Sequence, residues 1–218
     1  RYDEVGDPDL SFLYPIVNAS GKNLCEDHIE DWRRFIQQVP YTYYDEWLGL
    51  LGGDGKKASI FAREGEPLQR MMGYQTSGRG YRILIIWLPE RMQEALGNKL
   101  LKLVEEPPER TIILMVTMDE PSVLQTLRSR MQTLRLRPLT EPEIETALRA
   151  TPTDYAEADA LYAAHLSEGN YRKALDLYEG RAAELGEEYA LLQRILRATV
   201  NAQPREMKLL AEDLAALS

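Results

Sequence analysis

The residue types that usually do chemistry are sparse in this chain and poorly spaced for it. Its two histidines, His28 and His165, stand apart from any carboxylate or cysteine pattern, so the sequence offers neither a metal site nor a nucleophilic triad. Cys25 is the single cysteine, which excludes an internal disulfide framework and a cysteine-only zinc site and reads as a core thiol. Gly52, Gly53 and Gly55 surround Asp54 and mark a turn ahead of Lys56. They form no phosphate loop, because Lys57 and Ala58 follow where G-x-x-x-x-G-K-[ST] needs a hydroxyl. Arg130, behind Ser129, carries a guanidinium, which stays charged and whose planar fork can bind two phosphate oxygens. Taken locally, it also reads as a helix-end cation that complements the dipole. Lys99 and Lys102 share a helix face and read as solvated. The cluster of Tyr41, Tyr43, Tyr44 and Trp47 reads as packing, since no basic residue interleaves it before Lys56.

The elements that must position these residues are clearest between residues 81 and 130. Two continuous apolar runs, 83–88 and 112–116, flank a segment whose Met92, Leu96, Leu100, Leu103 and Val104 recur at helical spacing. This predicts strand, helix, strand. Runs without polar alternation predict strands covered on both faces and lying parallel, with the helix as their crossover. Pro89 suits the first turn of that helix, Glu90 meets its positive dipole end, and Pro107 and Pro108 stop it.

Residues 9–17 read as a further strand. From Asp27, the positions Ile29, Trp32, Phe35 and Ile36 form one face of a helix that stops before Pro40, with Trp32 in the core. A short strand is predicted over 58–62, a helix over about 64–72 and a polar loop over 73–80. Residues 132–136 alternate as a short strand does. Thr140 with Glu143 fits a capping box opening a helix that carries Ile144, Ala147 and Leu148. Helices over about 153–168 and 170–180 complete a small bundle, and the pattern is helical again through Leu185, Tyr189, Leu192, Leu196, Met207, Leu210 and Leu214.

A chain of 218 residues with 44% hydrophobic content supports a real core in one large domain or two small ones. At a formal net charge of -9, any contact with DNA requires a local basic patch or partner subunits. No apolar run approaches the ~18 residues of a membrane span and no signal peptide opens the chain. With the lone cysteine, this predicts a cytoplasmic protein.

The run GNKLLKLVEEPPERTIILMVT, followed by LRSRMQ, resembles the A-N-x-L-L-K-x-L-E-E-P-P and S-R-C segments of bacterial clamp-loader subunits in the AAA+ superfamily. The wording IIWLPERM, with no acidic pair, is most similar to the delta prime branch of that family in the DNA polymerase III holoenzyme. The resemblance spans roughly residues 9 to 180 and is dense only from 82 to 131. It implies an α/β fold: an AAA+ parallel sheet of P-loop type with helices on both faces over residues 1–139, a small helical lid over 140–180, and the start of a helical collar over 181–218. Such modules open with a strand, a phosphate loop and a helix, none of which precedes Arg1, and Asp7 stands where the family's next strand motif has histidine. The natural protein is therefore expected to extend beyond both ends, with the four-cysteine zinc module of many relatives upstream. This chain alone is expected to expose apolar edges.

The same resemblance assigns roles. Trp87 and Leu88 occupy the positions where an AAA+ ATPase carries an aspartate for Mg²⁺ and a glutamate that polarises water. An indole and an isobutyl group can do neither, so the chain is expected not to hydrolyse ATP. Arg130, with Ser129, matches the arginine finger that reaches the γ-phosphate of ATP held by a neighbour; Met131 replaces the usual cysteine. Thr117 matches the sensor-one position and Arg172 the sensor-two arginine, both without an obvious phosphate to read here, and structural roles for both stay open. No cofactor and no metal is expected on the chain itself. The implied function is that of a non-catalytic ring subunit helping to load the sliding clamp on primed DNA. Its implied partners are motor subunits of gamma/tau type, the delta subunit and the clamp, with DNA contacted indirectly. Two other readings stay open: an ATP-binding motor subunit, against which Trp87 and Leu88 speak, and an AAA+-derived scaffold unrelated to replication.

Overall fold

The apolar runs of the central segment pair as neighbouring strands, and the strand expected near the start of the chain joins them. A computed structural model describes residues 9–18, 23–38, 41–53, 56–73, 80–150 and 157–179. Strands β1 (Leu10–Leu13), β2 (Arg82–Trp87) and β3 (Thr111–Val116) form a parallel sheet in the order β1-β2-β3. Leu10 lies opposite Ile83, and Ile83 opposite Ile112. Helices α1 (Ile29–Gln38), α2 (Tyr44–Leu50), α3 (Gly65–Gly73), α4 (Glu94–Glu105) and α5 (Gln125–Arg128) complete this unit. It is an α/β fold with α4 as the crossover from β2 to β3.

Its core is one cluster that joins packed aromatic rings to aliphatic side chains. Trp32 of α1 stacks on Tyr14 at 4.2 Å between ring centroids and meets Trp47 of α2 edge-on at 5.2 Å. The Trp47 indole N–H donates to the Pro15 carbonyl at 2.7 Å, so the one polar atom of this buried ring is satisfied. Leu84, Ile86, Leu96, Leu100 and Leu127 are buried in the same cluster. The cluster expected from Tyr41, Tyr43, Tyr44 and Trp47 is only half packing. Trp47 is buried and the Arg91 guanidinium lies over the Tyr44 ring at 3.6 Å, whereas Tyr41 and Tyr43 are exposed.

Four local expectations change. Both faces of β3 were expected to be covered, yet only Ile113 and Met115 pack on the core, while Ile112, Leu114 and Val116 are exposed. An uninterrupted apolar run has no polar alternation with which to announce an open face. The crossover helix begins at Glu94, after a 3₁₀ turn over Pro89–Arg91. The cause is a backbone bridge: Ile60 N–H donates to Arg91 and Gln93 N–H to Ile60, at 3.1 and 2.9 Å, which holds this stretch extended. The strand expected over 58–62 reduces to that bridge and one between Ile16 and Ser59. Residues 132–136 form no strand, because alternation without a pairing partner does not make one; Leu134 and Leu136 are 82% and 85% exposed.

The chain divides into two units between Arg135 and Leu136. The second contains α6 (Glu141–Ala150), α7 (Glu157–Leu166) and α8 (Tyr171–Tyr178), packed through Ile144, Leu148, Ala160, Ala164 and Ala174. Half of the expected capping box is present: Glu143 accepts from the Thr140 N–H at 2.8 Å, while the Thr140 hydroxyl donates to the same carboxylate at 2.9 Å. Asn170 caps α8 by accepting from the Lys173 N–H at 3.1 Å. His165 is not isolated as expected, since its Nδ1 lies 3.0 Å from the Glu141 carboxylate. The loop core at 74–79, Asp54 and Gly55, Asp7, the first turn of the helix expected from 153 and the helical pattern from 181 onward lie outside the described residues.

Candidate functional site

The carboxyl ends of β2 and β3 are where an open α/β sheet places its chemistry, and both ends are occupied by the chain's own contacts. The Trp87 ring packs against Trp32 at 5.2 Å. Leu88 turns into the left-handed region with φ 56, its side chain buried and its N–H donating to the Val116 carbonyl at 2.9 Å. Neither position supplies an oxygen ligand. The turn at Leu88 and Pro89 brings Glu90 back over the strand end, where its carboxylate accepts the Thr117 hydroxyl at 2.7 Å. Thr117 Oγ1 in turn accepts the Asp119 N–H at 3.0 Å. Glu90 was expected to open the crossover helix; it sits instead in a 3₁₀ turn with Thr117 as its partner. No spacing rule connects those two residues, so the sequence held no signal for their contact.

Arg130 lies in the turn after α5, and its backbone N–H donates to the Leu127 carbonyl at 3.0 Å. Leu127 is buried against α4, and α5 approaches closely because Gly97 has no side chain: a Cβ there would lie 2.1 Å from Leu124 Cδ1. The guanidinium is held along one side. Nε donates to the Glu105 carboxylate at the last residue of α4, and Nη1 donates to the Thr126 carbonyl at 2.9 Å, with Ser129 Oγ at 3.5 Å. Nη2 has no partner among the described residues, and the side chain is 38% exposed. Glu105 was not singled out from the sequence; the acidic pair beside two prolines was its only trace.

Arg172 belongs to the second unit, where it is 12% exposed and paired with Asp176 one helical turn on, at 3.3 Å. Lys99 and Lys102 are both exposed, as expected, and the Lys99 ammonium also donates to the Ala62 carbonyl at 3.4 Å. Cys25 is a buried thiol whose Sγ donates to the Tyr14 carbonyl at 3.3 Å and whose N–H donates to Glu64 at 2.8 Å. Burial pushes both the Cys25 thiol and the Glu64 carboxyl above their ordinary values. Among the described residues no group of His, Cys, Asp or Glu could hold a metal ion, and no helix is long and apolar enough to cross a membrane.

These elements define an α/β protein with a parallel sheet, whose strand ends carry Trp87 and Leu88 and whose turn after α5 presents an arginine. The family model described as DNA polymerase III, delta subunit, matches residues 16–140, more than half of the chain. The chain belongs to that family. It is 36% identical over 99 residues to the DNA polymerase III subunit delta' of Escherichia coli (strain K12), covering 44% of this chain and 29% of that protein. It is 48% identical over 89 residues to the DNA polymerase III subunit delta' of Yersinia pestis, covering 40% of this chain and 25% of that protein. The matches thus span under a third of either relative. Among solved structures, a DNA polymerase III gamma subunit-related protein from Thermotoga maritima aligns with a TM-score of 0.43 at 16% identity, over 97% of this chain and 74% of that one. The RuvB Holliday junction branch migration motor of Thermotoga maritima aligns with a TM-score of 0.44 at 20% identity, over 53% of this chain and 40% of that one.

Proposed function

We propose that this chain is part of a delta prime-like clamp-loader subunit that does not hydrolyse ATP itself and lends Arg130 to an ATPase subunit beside it. The family match supports the assignment to the DNA polymerase III holoenzyme. The side chains of Trp87 and Leu88 support the lack of hydrolysis, since a hard cation needs oxygen ligands and an attacking water needs a base. The observation that carries the reading is Arg130, anchored by Nε and Nη1 with Nη2 unpartnered among the described residues and the side chain 38% exposed. A guanidinium so placed suits the charge that develops on a transferring phosphoryl group. The ATP would be held by a neighbouring motor subunit of gamma/tau type. The delta subunit and the sliding clamp are the other partners, and primed DNA is met indirectly. Thr117 and Arg172, engaged with Glu90 and Asp176, act as structural groups in this reading.

The test is DNA- and clamp-stimulated ATP hydrolysis by a loader reconstituted with the full-length protein, wild type against Arg130→Ala. Arginine fingers contribute on the order of 10³ to 10⁵ in rate at the site they serve. A sharp fall with assembly intact supports the reading. An unchanged rate makes Arg130 structural and overturns it.

A further inference from the structure

The Arg130 guanidinium is tied to two elements at once, and one of the ties is a carboxylate in an electrostatically unfavourable place. Glu105 is the last residue of α4, followed by exposed Glu106 and by Pro107. A helix carboxyl end carries the negative pole of the macrodipole and disfavours an anion. Lys102 in the last turn and Arg130, through Nε to Glu105, are the cations that offset it. The second tie, Nη1 to the Thr126 carbonyl at 2.9 Å, comes from α5. These two elements are themselves locked: Leu96 and Leu100 bury α4, Leu127 buries α5, and Gly97 allows Leu124 to close on α4.

We infer that Glu105 is a positioning residue for Arg130, fixing the guanidinium so that Nη2 and its free edge face a phosphate on a neighbouring subunit. The inference rests on the finger reading of Arg130. An arginine side chain has many rotamers, and holding it ready before the phosphate arrives removes an ordering cost from the reacting complex. The pair is half exposed, with side chains 38% and 48% accessible, so as an ion pair it adds little to stability. Its consequence lies in where the guanidinium points. Glu105 touches neither substrate nor reacting atoms and acts only through Arg130.

The test is steady-state ATP hydrolysis by the reconstituted loader carrying the full-length protein as wild type, Glu105→Ala, Glu105→Gln, Arg130→Ala and the Glu105→Ala/Arg130→Ala double variant, with assembly checked by gel filtration. Glu105→Ala is expected to lower kcat about tenfold with KM for ATP unchanged, the scale on which loss of an orienting partner acts. Glu105→Gln, whose amide oxygen still accepts from Nε, is expected to retain most of the rate. In the Arg130→Ala background Glu105→Ala is expected to change nothing further. Should Glu105→Ala fail to assemble, Glu105→Lys at this half-exposed position repels Arg130 and is expected to lower kcat at least as far. If Arg130→Ala lowers the rate while Glu105→Ala does not, the positioning role is overturned and the finger stands. If Glu105→Ala lowers the rate equally in both backgrounds, it acts through something other than Arg130, and the inference again fails. If Arg130→Ala leaves the rate unchanged, the finger reading falls and takes this inference with it.

Discussion

Thr117 and Glu90, at the ends of adjacent parallel strands, are joined by a 2.7 Å hydrogen bond, and the same threonine oxygen accepts the Asp119 N–H at 3.0 Å. The hydroxyl is thus used as donor and acceptor within the chain, and the carboxylate of Glu90 is drawn over the end of β2. Thr117→Val keeps the shape and removes both bonds, leaving a partly buried carboxylate and an amide short of a partner. The expected loss is about 0.5–1.5 kcal/mol of stability, read from the midpoint shift in chemical denaturation. A variant within experimental error of the wild type would show that water serves both groups equally well.

The parts legible in the sequence are those whose cause is local. The strand, helix and strand of the central segment follow from two apolar runs and a helical spacing between them, and the cap at Glu143 follows from its distance to Thr140. What was not legible depends on partners supplied from far along the chain. Met92 looks helical by spacing but is held extended by Ile60. Residues 132–136 alternate correctly but join no strand among the described residues. Arg130 was found through its motif, whereas Glu105, which holds it, lies at the end of another helix and was visible only once the helices were packed. Glu90 was read from its neighbours in sequence, and its true neighbour is Thr117.

Gly169 turns the chain from α7 into α8 with φ 85, a region where a side chain is strained. A Cβ there would also lie 2.8 Å from the Leu139 carbonyl oxygen, a backbone atom that cannot swing aside. Gly169→Ala is expected to cost about 1–3 kcal/mol in the second unit. The Leu139 N–H, which donates to the Gly169 carbonyl at 3.1 Å, is the reporter: its hydrogen exchange should accelerate, and unchanged protection would count against a strained turn.

Glu143 is held well below the usual carboxylate range, first by the Arg137 guanidinium, which meets it with two bonds at 2.7 and 2.6 Å, and then by the Thr140 N–H and hydroxyl. A depressed folded-state value means stability that is present above the ordinary glutamate range near ~4.3 and is lost as pH falls through the folded value. Acid unfolding of the second unit, followed by the amide signals of α6, should therefore show a component below pH ~4.3 that Glu143→Gln removes. The exposure of the pair keeps this contribution small. An identical acid limb in wild type and variant would mean that the cap contributes no pH dependence.

Glu64 has the opposite sign. It is 2% exposed, its carboxylate accepts the Cys25 N–H at 2.8 Å, and burial raises it above the usual range. A raised folded-state value means a contribution that is fully present below the ordinary glutamate value and is lost as pH rises through the folded one. The charged form is thus the one the core resists, and the Cys25 N–H and thiol and the nearby Arg63 charge offset only part of its desolvation. Glu64→Gln keeps an acceptor for that N–H and removes the charge. It should raise the stability of the first unit at neutral pH, where wild type has begun to lose this contribution, and leave it nearly unchanged near pH 4. Denaturation midpoints for both proteins across pH 4 to 8 make the comparison. A variant less stable at neutral pH would show that the second carboxylate oxygen has a partner worth more than the burial of its charge costs.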